Sequence, residues 1–560
     1  MKFSKNILLA GVGALALAGC GGGNDDVDAP KTQSSVQAEK LSAASPLDTK
    51  FTLKGGSEFD VDKFLALLPE DVRPSYGSAD FDSGLGATVV QNLRFADAND
   101  GEAIIIERAE FFGVDEEAID RIINAGDVGT DGPYETVFQK VRLINISSAG
   151  FEDEDSGEQL DLSIAGVEFD ELRMRQGGPE GDPAGEELAG FVNAISLGGL
   201  YFKDLNFNVM GDETLSINLS APDMRLVGMA GGKVEAILAK DLSYDVAQGE
   251  DTRAALRESM GPQGGALLDG PLGALIAPDS QRVDMSSFEW RNIDFSGLVK
   301  YGLTGEEPPA SDRDLIDLGS MAMSDMTAYL DGRKVSTMGE VNVPKMAFAW
   351  LIPSDFRMEF KDAVTDYTAY IPDTEDPAYA VLAERGLNEV PADGFFNWTW
   401  SPDSGAGVLD YDVTSPGLAD FSMNFAMTGA NLKALAQAQE DGDEEVFAKN
   451  MALKSLNLKI KDETALDAIF ALAALELGGT GDDLRQSAPA LLRLSGSQVA
   501  QINPRINGYI DAMADFVANG GSLEISATPE EPLAAAAFAS GEVTPPTLPD
   551  VLDLKITHQE

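Results

Sequence analysis

Carboxylates are the only chemistry-bearing side chains that this chain holds in number. Its 560 residues carry 94 Asp and Glu against 40 Lys and Arg, with one histidine and one cysteine. The histidine, His558, stands at the C-terminal end and reads as solvated, which leaves no Ser-His-Asp triad, no Cys-His pair and no histidine-rich zinc site. Neither a G-x-S-x-G elbow nor a P-loop is present. Gly231-Gly232-Lys233 has Val227 where the upstream glycine belongs, and Val234 replaces the Ser or Thr. Paired acids can hydrolyse glycosides when two carboxyl groups stand about 5 to 9.5 Å apart. Trp290, Trp350, Trp398 and Trp400 could stack on sugars, and Trp398-Thr399-Trp400 in a strand projects both rings to one side. Core or interface packing would leave the same signature. Asp97-Ala98-Asn99-Asp100-Gly101-Glu102 imitates the start of a calcium loop, but its glycine comes one place early and position twelve is Arg108, so it reads as a hairpin turn. No catalytic residue, metal ligand or cofactor is assigned. A non-enzymatic role is expected, with a carboxylate-dependent glycan hydrolase as the alternative.

The charge balance narrows the partners. A formal net charge of −54 and a pI near 4.1 repel phosphate backbones, so nucleic acid is not an expected partner. The acids are dispersed rather than gathered in a tail, which suits a solvated surface in a saline exterior; collection of divalent cations or a basic partner is the functional alternative.

The N-terminus fixes the compartment. Lys2 and Lys5 precede an apolar run from Ile7 to Leu17, about eleven residues, where a spanning helix needs roughly 20. That run ends in Leu17-Ala18-Gly19-Cys20, followed by Gly21, Gly22 and Gly23. The pattern resembles the lipobox of bacterial lipoproteins. The resemblance implies a signal peptide over 1–19 and lipidation of Cys20 as the mature N-terminus. With Gly21 and not aspartate after the cysteine, it further implies anchoring in the outer membrane, with the body in the periplasm or at the cell surface. The implied partners are the membrane, through lipidated Cys20, and a lipid or another envelope protein. A single cysteine also permits no internal disulfide, so the core must hold by burial. Residues 20–50 are poor in large apolar side chains and read as a disordered tether, whose coil dimension is about 30 Å. The folded part is expected from about Phe51.

The elements that position everything else follow from periodicity. Helical spacing marks Phe59 to Leu68 and Asp115 to Ala125. Thr88 to Phe95 and Ala103 to Glu107 read as strands. From Val137 onward period two dominates, as in Leu160-Asp161-Leu162-Ser163-Ile164, Leu215-Ser216-Ile217-Asn218-Leu219 and Phe421-Ser422-Met423-Asn424-Phe425. An element of the form apolar, any, small polar or acidic, apolar, any, apolar recurs. It starts at Phe169, Phe202, Ala239, Trp290 and, more loosely, Met323, with starts 33, 37, 51 and 33 residues apart; Leu453 begins a late copy. In each copy the acid or its substitute, such as Asp204 or Asn292, shifts the facing parity, which predicts a bulge or strand bend. Chance matches in any meander of amphipathic strands would look similar.

These loose repeats resemble the AsmA-like and YdgA-like bacterial envelope proteins over residues 137 to 460. The resemblance implies a long curled sheet with an apolar trough associated with lipid. Gln176 to Glu187 and Thr304 to Arg313 read as exposed loops. Residues 253 to 279 read as a segment that caps an apolar groove or tucks against the sheet, and Pro372 to Gly394 as an insertion with a helix at Tyr379 to Arg385. Past Gly429 the pattern turns helical around the strand Leu453 to Ile460: Thr464 to Leu477, Asp482 to Leu494, and Pro504 to Val517 with Asn503 as cap, then a strand at Ser522 to Ser526.

The expected fold class is therefore α+β and β-dominated, a large antiparallel meandering or curled sheet of hairpin-like repeats. Its parts are a β-rich body over 51–428, a helical section with one or two strands over 429–527, and a Pro/Ala-rich tail over 528–560 extended along the surface. The expected function is a lipid-anchored binding or scaffold module, with an apolar groove for lipid or a partner chain; a surface structural protein is a further alternative.

Overall fold

The computed structural model describes residues 45–65, 72–97, 103–124, 132–149, 159–175, 184–210, 215–248, 278–441, 450–539, 543–544 and 546–560. The lipobox and Cys20, the signal peptide, the tether to residue 44, residues 253–277 and the turn over 98–102 lie outside these. The fold is β-dominated, with 52% of it in strands, antiparallel and meandering, and the helices lie mostly in the C-terminal part. The chain divides into two compact units. One takes the described residues up to Glu307 together with Ala328–Gly332, and the other takes Pro308–Thr327 and Arg333–Glu560.

In the first unit, β1 (Val72–Ser75) and β2 (Ser78–Asp82) pair in succession with β3 (Ala87–Asp97). From β3 the order is sequential through β4 (Ala103–Phe112), β5 (Glu135–Ala149), β6 (Gln159–Met174), β7 (Ile195–Met210), β8 (Leu215–Ala230), β9 (Lys233–Gln248) and β10 (Ser280–Asp294). Alternation decides which side chains go inward: along β6, Leu162 and Ile164 are buried while Asp161 and Ser163 are exposed. Asp115 caps the helix Glu116–Asn124 by accepting from the Ala118 amide at 2.9 Å. The loop expected to run to Glu187 is helical from Ala184.

Ahead of the expected start at Phe51, the described residues form a short 3-10 turn over Pro46–Asp48. Arg142 explains this, since its Nη1 and Nη2 donate to the carbonyls of Thr49 (2.7 Å) and Pro46 (3.0 Å), and Lys203 pairs with Asp48. Polar chain is held here by cations projecting from the sheet.

The repeats acquire a physical meaning. Glu171, Asp204, Asp241, Asn292 and Asp325, the third residue of five copies, all have φ between 48° and 59°. Asn and Asp tolerate this left-handed region because their short polar side chains can bond locally. The expected bulge is a kink at Asp204, since Lys203 pairs with Asp223 and Leu205 with Ala221, with one residue between on each strand. The same one-for-one register holds at Asp241 and Asn292. A single left-handed residue bends the strand without needing an inserted one. The copy at Leu453 does carry an insertion, because Ala426 pairs with Ser455 and Met427 with Leu453, which leaves Lys454 extra.

In pairing order the kinks form two seams. Asn92, Asn145, Asp204 and Asp241 lie at one level on alternate strands β3, β5, β7 and β9; Glu171, Gly228 and Asn292 lie at another on β6, β8 and β10. Replacing Asp204 or Asp241 by valine, which cannot take φ near +49° without strain, is expected to cost about 1–2 kcal/mol each, whereas glycine should be tolerated. Urea unfolding checks this, and an unchanged midpoint for both valine variants would refute the strain account.

The second unit contains β11 (Ser320–Leu330) in part, β12 (Arg333–Ala349), β13 (Ile352–Thr365), β14 (Val390–Trp400), β15 (Gly407–Ser415), β16 (Ala419–Thr428), β17 (Ala452–Asp462), β18 (Gly521–Ala527), β19 (Leu533–Ala534) and β20 (Lys555–Gln559). Strands β12 to β18 pair in sequence; β19 pairs with the start of β17 and β20 with β18. The helices after β17 are Ala465–Leu477, Gly481–Ala500 and Arg505–Asn519. The second continues six residues beyond the expected Leu494, with Pro489 inside it. Asn503 accepts from the Arg505 amide at 3.1 Å, and Gly520, at φ 73°, follows the third.

The tail corrects expectation. Instead of lying extended on the surface, residues 528–560 return to the sheet, contributing β19, the helices Ala535–Ala539 and Leu548–Val551, and the edge strand β20. His558 is correspondingly not free in solvent. It pairs with Leu523 across β18, its Nε2 lies 2.7 Å from the Gly520 carbonyl, and its ring meets Phe516 at 6.3 Å.

Candidate apolar binding face

The second unit's sheet separates its chemistry by face. Pairing partners share a face, so rows can be followed from strand to strand. One row runs Phe356, Trp398, Leu409, Phe425, Leu456; the next Met358, Phe396, Tyr411, Met423, Leu458, Ile525; the third Phe360, Gly394, Val413, Phe421, Ile460, Leu523. Every large member except Leu523 is only partly buried. The aromatic rings meet edge to face, Phe356 with Phe396 at 5.4 Å and Tyr411 with Phe421 at 5.2 Å. Gly394 makes room for a ring, since a Cβ there would lie 2.7 Å from Phe360 Cζ. The other face carries Arg357, Asn397, Asp410, Asn424 and Asn457 in register, and Arg357 bonds Glu359 at 2.7 Å.

Helices close the margins of the apolar face. Leu432 and Leu435, from the helix Leu432–Asp441, pack with Trp398, Trp400 and Met427. Ala378 and Leu382, from the helix Pro377–Glu384, join Ala468 against Val390. Burial raises the Tyr367 phenol above its ordinary pKa beside that cluster. Phe516 covers the side at His558. The middle rows are left as a broad, half-buried apolar floor. Apolar exposure continues on the helical section, where Ile469 is 58% exposed, Leu477 75%, Leu491 63% and Leu494 70%.

Three of the four tryptophans are anchored by an indole N–H bond to a carbonyl. Trp398 and Trp400 do project from one side of β14, as expected, but Trp398 Nε1 donates to the Pro353 carbonyl and Trp400 Nε1 to that of Ala430, both at 2.8 Å. Trp350 sits at φ 57° in the β12–β13 turn with Nε1 on the Pro308 carbonyl. Trp290 is paired with Ile237 on β9.

The first unit has the same division. Phe169, Leu200, Leu226, Ile237 and Trp290 form an apolar row of partly buried side chains. The row beside it, on the other face, is Glu110, Arg142, Glu168, Tyr201 and Arg225. Glu168 is fully buried and accepts from Lys140 Nζ and, at 2.7 Å, from Arg142 Nε. Lys140 also lies 3.2 Å from Asp170, while Arg108 holds Glu110 at 2.8 Å and Arg225 holds Asp223 at 2.6 Å. Burial first, then the carboxylates of Asp170 and Glu168, raise the pKa of the Tyr201 phenol. This ladder was not anticipated, although opposite charges two residues apart, as in Arg108/Glu110 and Asp223/Arg225, were a legible sign of it.

Both units thus define a class by geometry: antiparallel meanders with one apolar and one ionic face. A family model described only as "Uncharacterized protein" matches residues 412–559, from β15 through β20. No curated protein matches the chain. Among the described residues no group of His, Cys, Asp and Glu could hold a metal ion, and no helix is long and apolar enough to cross a membrane.

Proposed function

We propose that this is a lipid-anchored envelope protein, held in the outer membrane through Cys20, whose β-rich body binds or scaffolds and does not catalyse. The observation that carries the reading is the half-buried floor of Phe396, Tyr411, Met423, Phe421 and Leu458 with its neighbours. Such a surface gains roughly 25 cal/mol for each Å² of apolar area that a bound acyl chain or apolar partner covers. Arg357–Glu359 and Arg108–Glu110 tie their carboxylates into ion pairs on the other faces, where they organise the sheet.

The test is extraction of the purified full chain with organic solvent and mass spectrometry of what it carries. Wild type is expected to bring lipid at near-stoichiometric amounts, and Tyr411→Asp combined with Met423→Asp to reduce it by about tenfold or more, since two charges on the floor oppose apolar contact. Equal lipid on both, with both folded by circular dichroism, would refute the groove. Reducing sugars released from glycan by wild type would favour the hydrolase instead.

A further inference from the structure

The ionic face of the first unit holds a cavity of about 570 Å³, roofed by the chain around Leu47–Phe51 and floored by β4, β5 and β6. We propose that it binds a small anionic amphiphile, with a phosphate or carboxylate head and a short apolar body. Four cations line it: Lys50, Arg108 paired with Glu110, Arg142 paired with Glu168, and Lys203 paired with Asp48. That concentration stands out in a chain with 94 acidic and 40 basic residues.

The two acids of the lining are already engaged. Asp82 Oδ1 accepts from the amides of Gly84 (2.8 Å) and Leu85 (3.1 Å), and Glu110 is bound by Arg108. Donors remain. Arg142 uses Nε on Glu168 and one N–H each of Nη1 and Nη2 on the roof carbonyls, so two of its five N–H groups are left. Lys50 is exposed and has no ion pair among the described residues. The roof bonds also fix the Arg142 guanidinium in place, so a ligand need not order it, and a planar guanidinium suits either head.

The remainder of the wall is apolar, with Leu47, Phe51, Leu85 and Ile144 around Gly166. A Cβ at Gly166 would crowd both Leu47 Cδ atoms at 3.3 Å, so the absence of a side chain there lets Leu47 of the roof sit close over the floor. Cationic and apolar walls in one cavity, within the size range of small-molecule sites, select a ligand having both characters. The site lies on the face of the first unit opposite its own apolar row and does not rest on the lipid-binding reading.

The experiment is calorimetric titration of the full-length Cys20→Ser protein with octyl phosphate below its micellar concentration, with inorganic phosphate and 1-octanol in parallel. One site is expected for octyl phosphate, with each half-ligand weaker by about tenfold or more. Lys50→Glu, an exposed position that reverses a cavity charge, and Ile144→Trp, which fills the floor, should each weaken octyl phosphate about tenfold, while Lys240→Glu, outside the cavity, should not. No saturable heat, or equal affinity in both cavity variants with folding intact, overturns the proposal. Inorganic phosphate binding as tightly as octyl phosphate overturns the amphiphile and leaves a phosphoryl site.

Discussion

Replacing Cys20 by serine is expected to abolish incorporation of radioactive palmitate and to move the protein from the membrane fraction to the soluble one. The reason is covalent rather than conformational. Acyl chains gain about 0.8 kcal/mol for each buried CH₂, and more than one chain is needed for stable anchoring, so a lipidated cysteine dominates partitioning. A chain with a net charge of −54 gains no attraction from anionic headgroups that could replace the anchor. The proposal predicts complete loss of label. Wild-type protein without label, or Cys20→Ser protein that keeps it, would sink the lipoprotein reading while leaving the cavity and the apolar floor untouched.

The second large effect is expected at Glu168. Its carboxylate is fully buried between Lys140 and Arg142, whose side chains are each 9% exposed. Glu168→Leu leaves the buried Arg142 without a carboxylate and Lys140 with Asp170 alone, at a cost of about 3–5 kcal/mol, because the desolvation already incurred is no longer offset. For a unit of this size that corresponds to a fall in melting temperature of roughly 6 to 20 °C. The double variant Lys140→Met with Glu168→Gln removes one charge of each sign and should recover part of the loss. Calorimetry of the full chain reads both values. A Glu168→Leu protein as stable as wild type would show that water reaches the cluster and that the sheet does not depend on it. Loss of the ladder should also loosen the Ser45–Lys50 turn, since Arg142 positions both.

Much of this molecule was legible in advance because β-strands advertise themselves by period two. Thr88 to Phe95, Leu160 to Ile164, Phe421 to Phe425 and Leu453 to Ile460 all lie within strands, with alternation assigning each side chain to a face. The recurring third position of the repeat was legible too, as a break in parity, because a polar residue there separates two apolar stretches. Whether the break was an insertion or a kink depended on the neighbouring strand, and the neighbour matched it residue for residue at Asp204 and carried the extra residue at Lys454. The tail was misread for a related reason. Pro and Ala composition argued for an exposed extended chain, but Lys555–Gln559 gains a partner in β18, whose edge was otherwise unpaired.

Composition and periodicity set the β-dominated class, the faces of the strands, the caps at Asn503 and Gly520, and the poverty of histidine and cysteine that removes whole chemistries. These are local properties, set by side-chain type and near spacing. Strand pairing is what places Met358, Phe396, Tyr411, Met423 and Leu458 in one row, seals Glu168 between two cations, and gathers Lys50, Arg108, Arg142 and Lys203 around one cavity. Those groups come from strands far apart in the chain, and only strand register, a property of pairs and never of a single segment, brings them together.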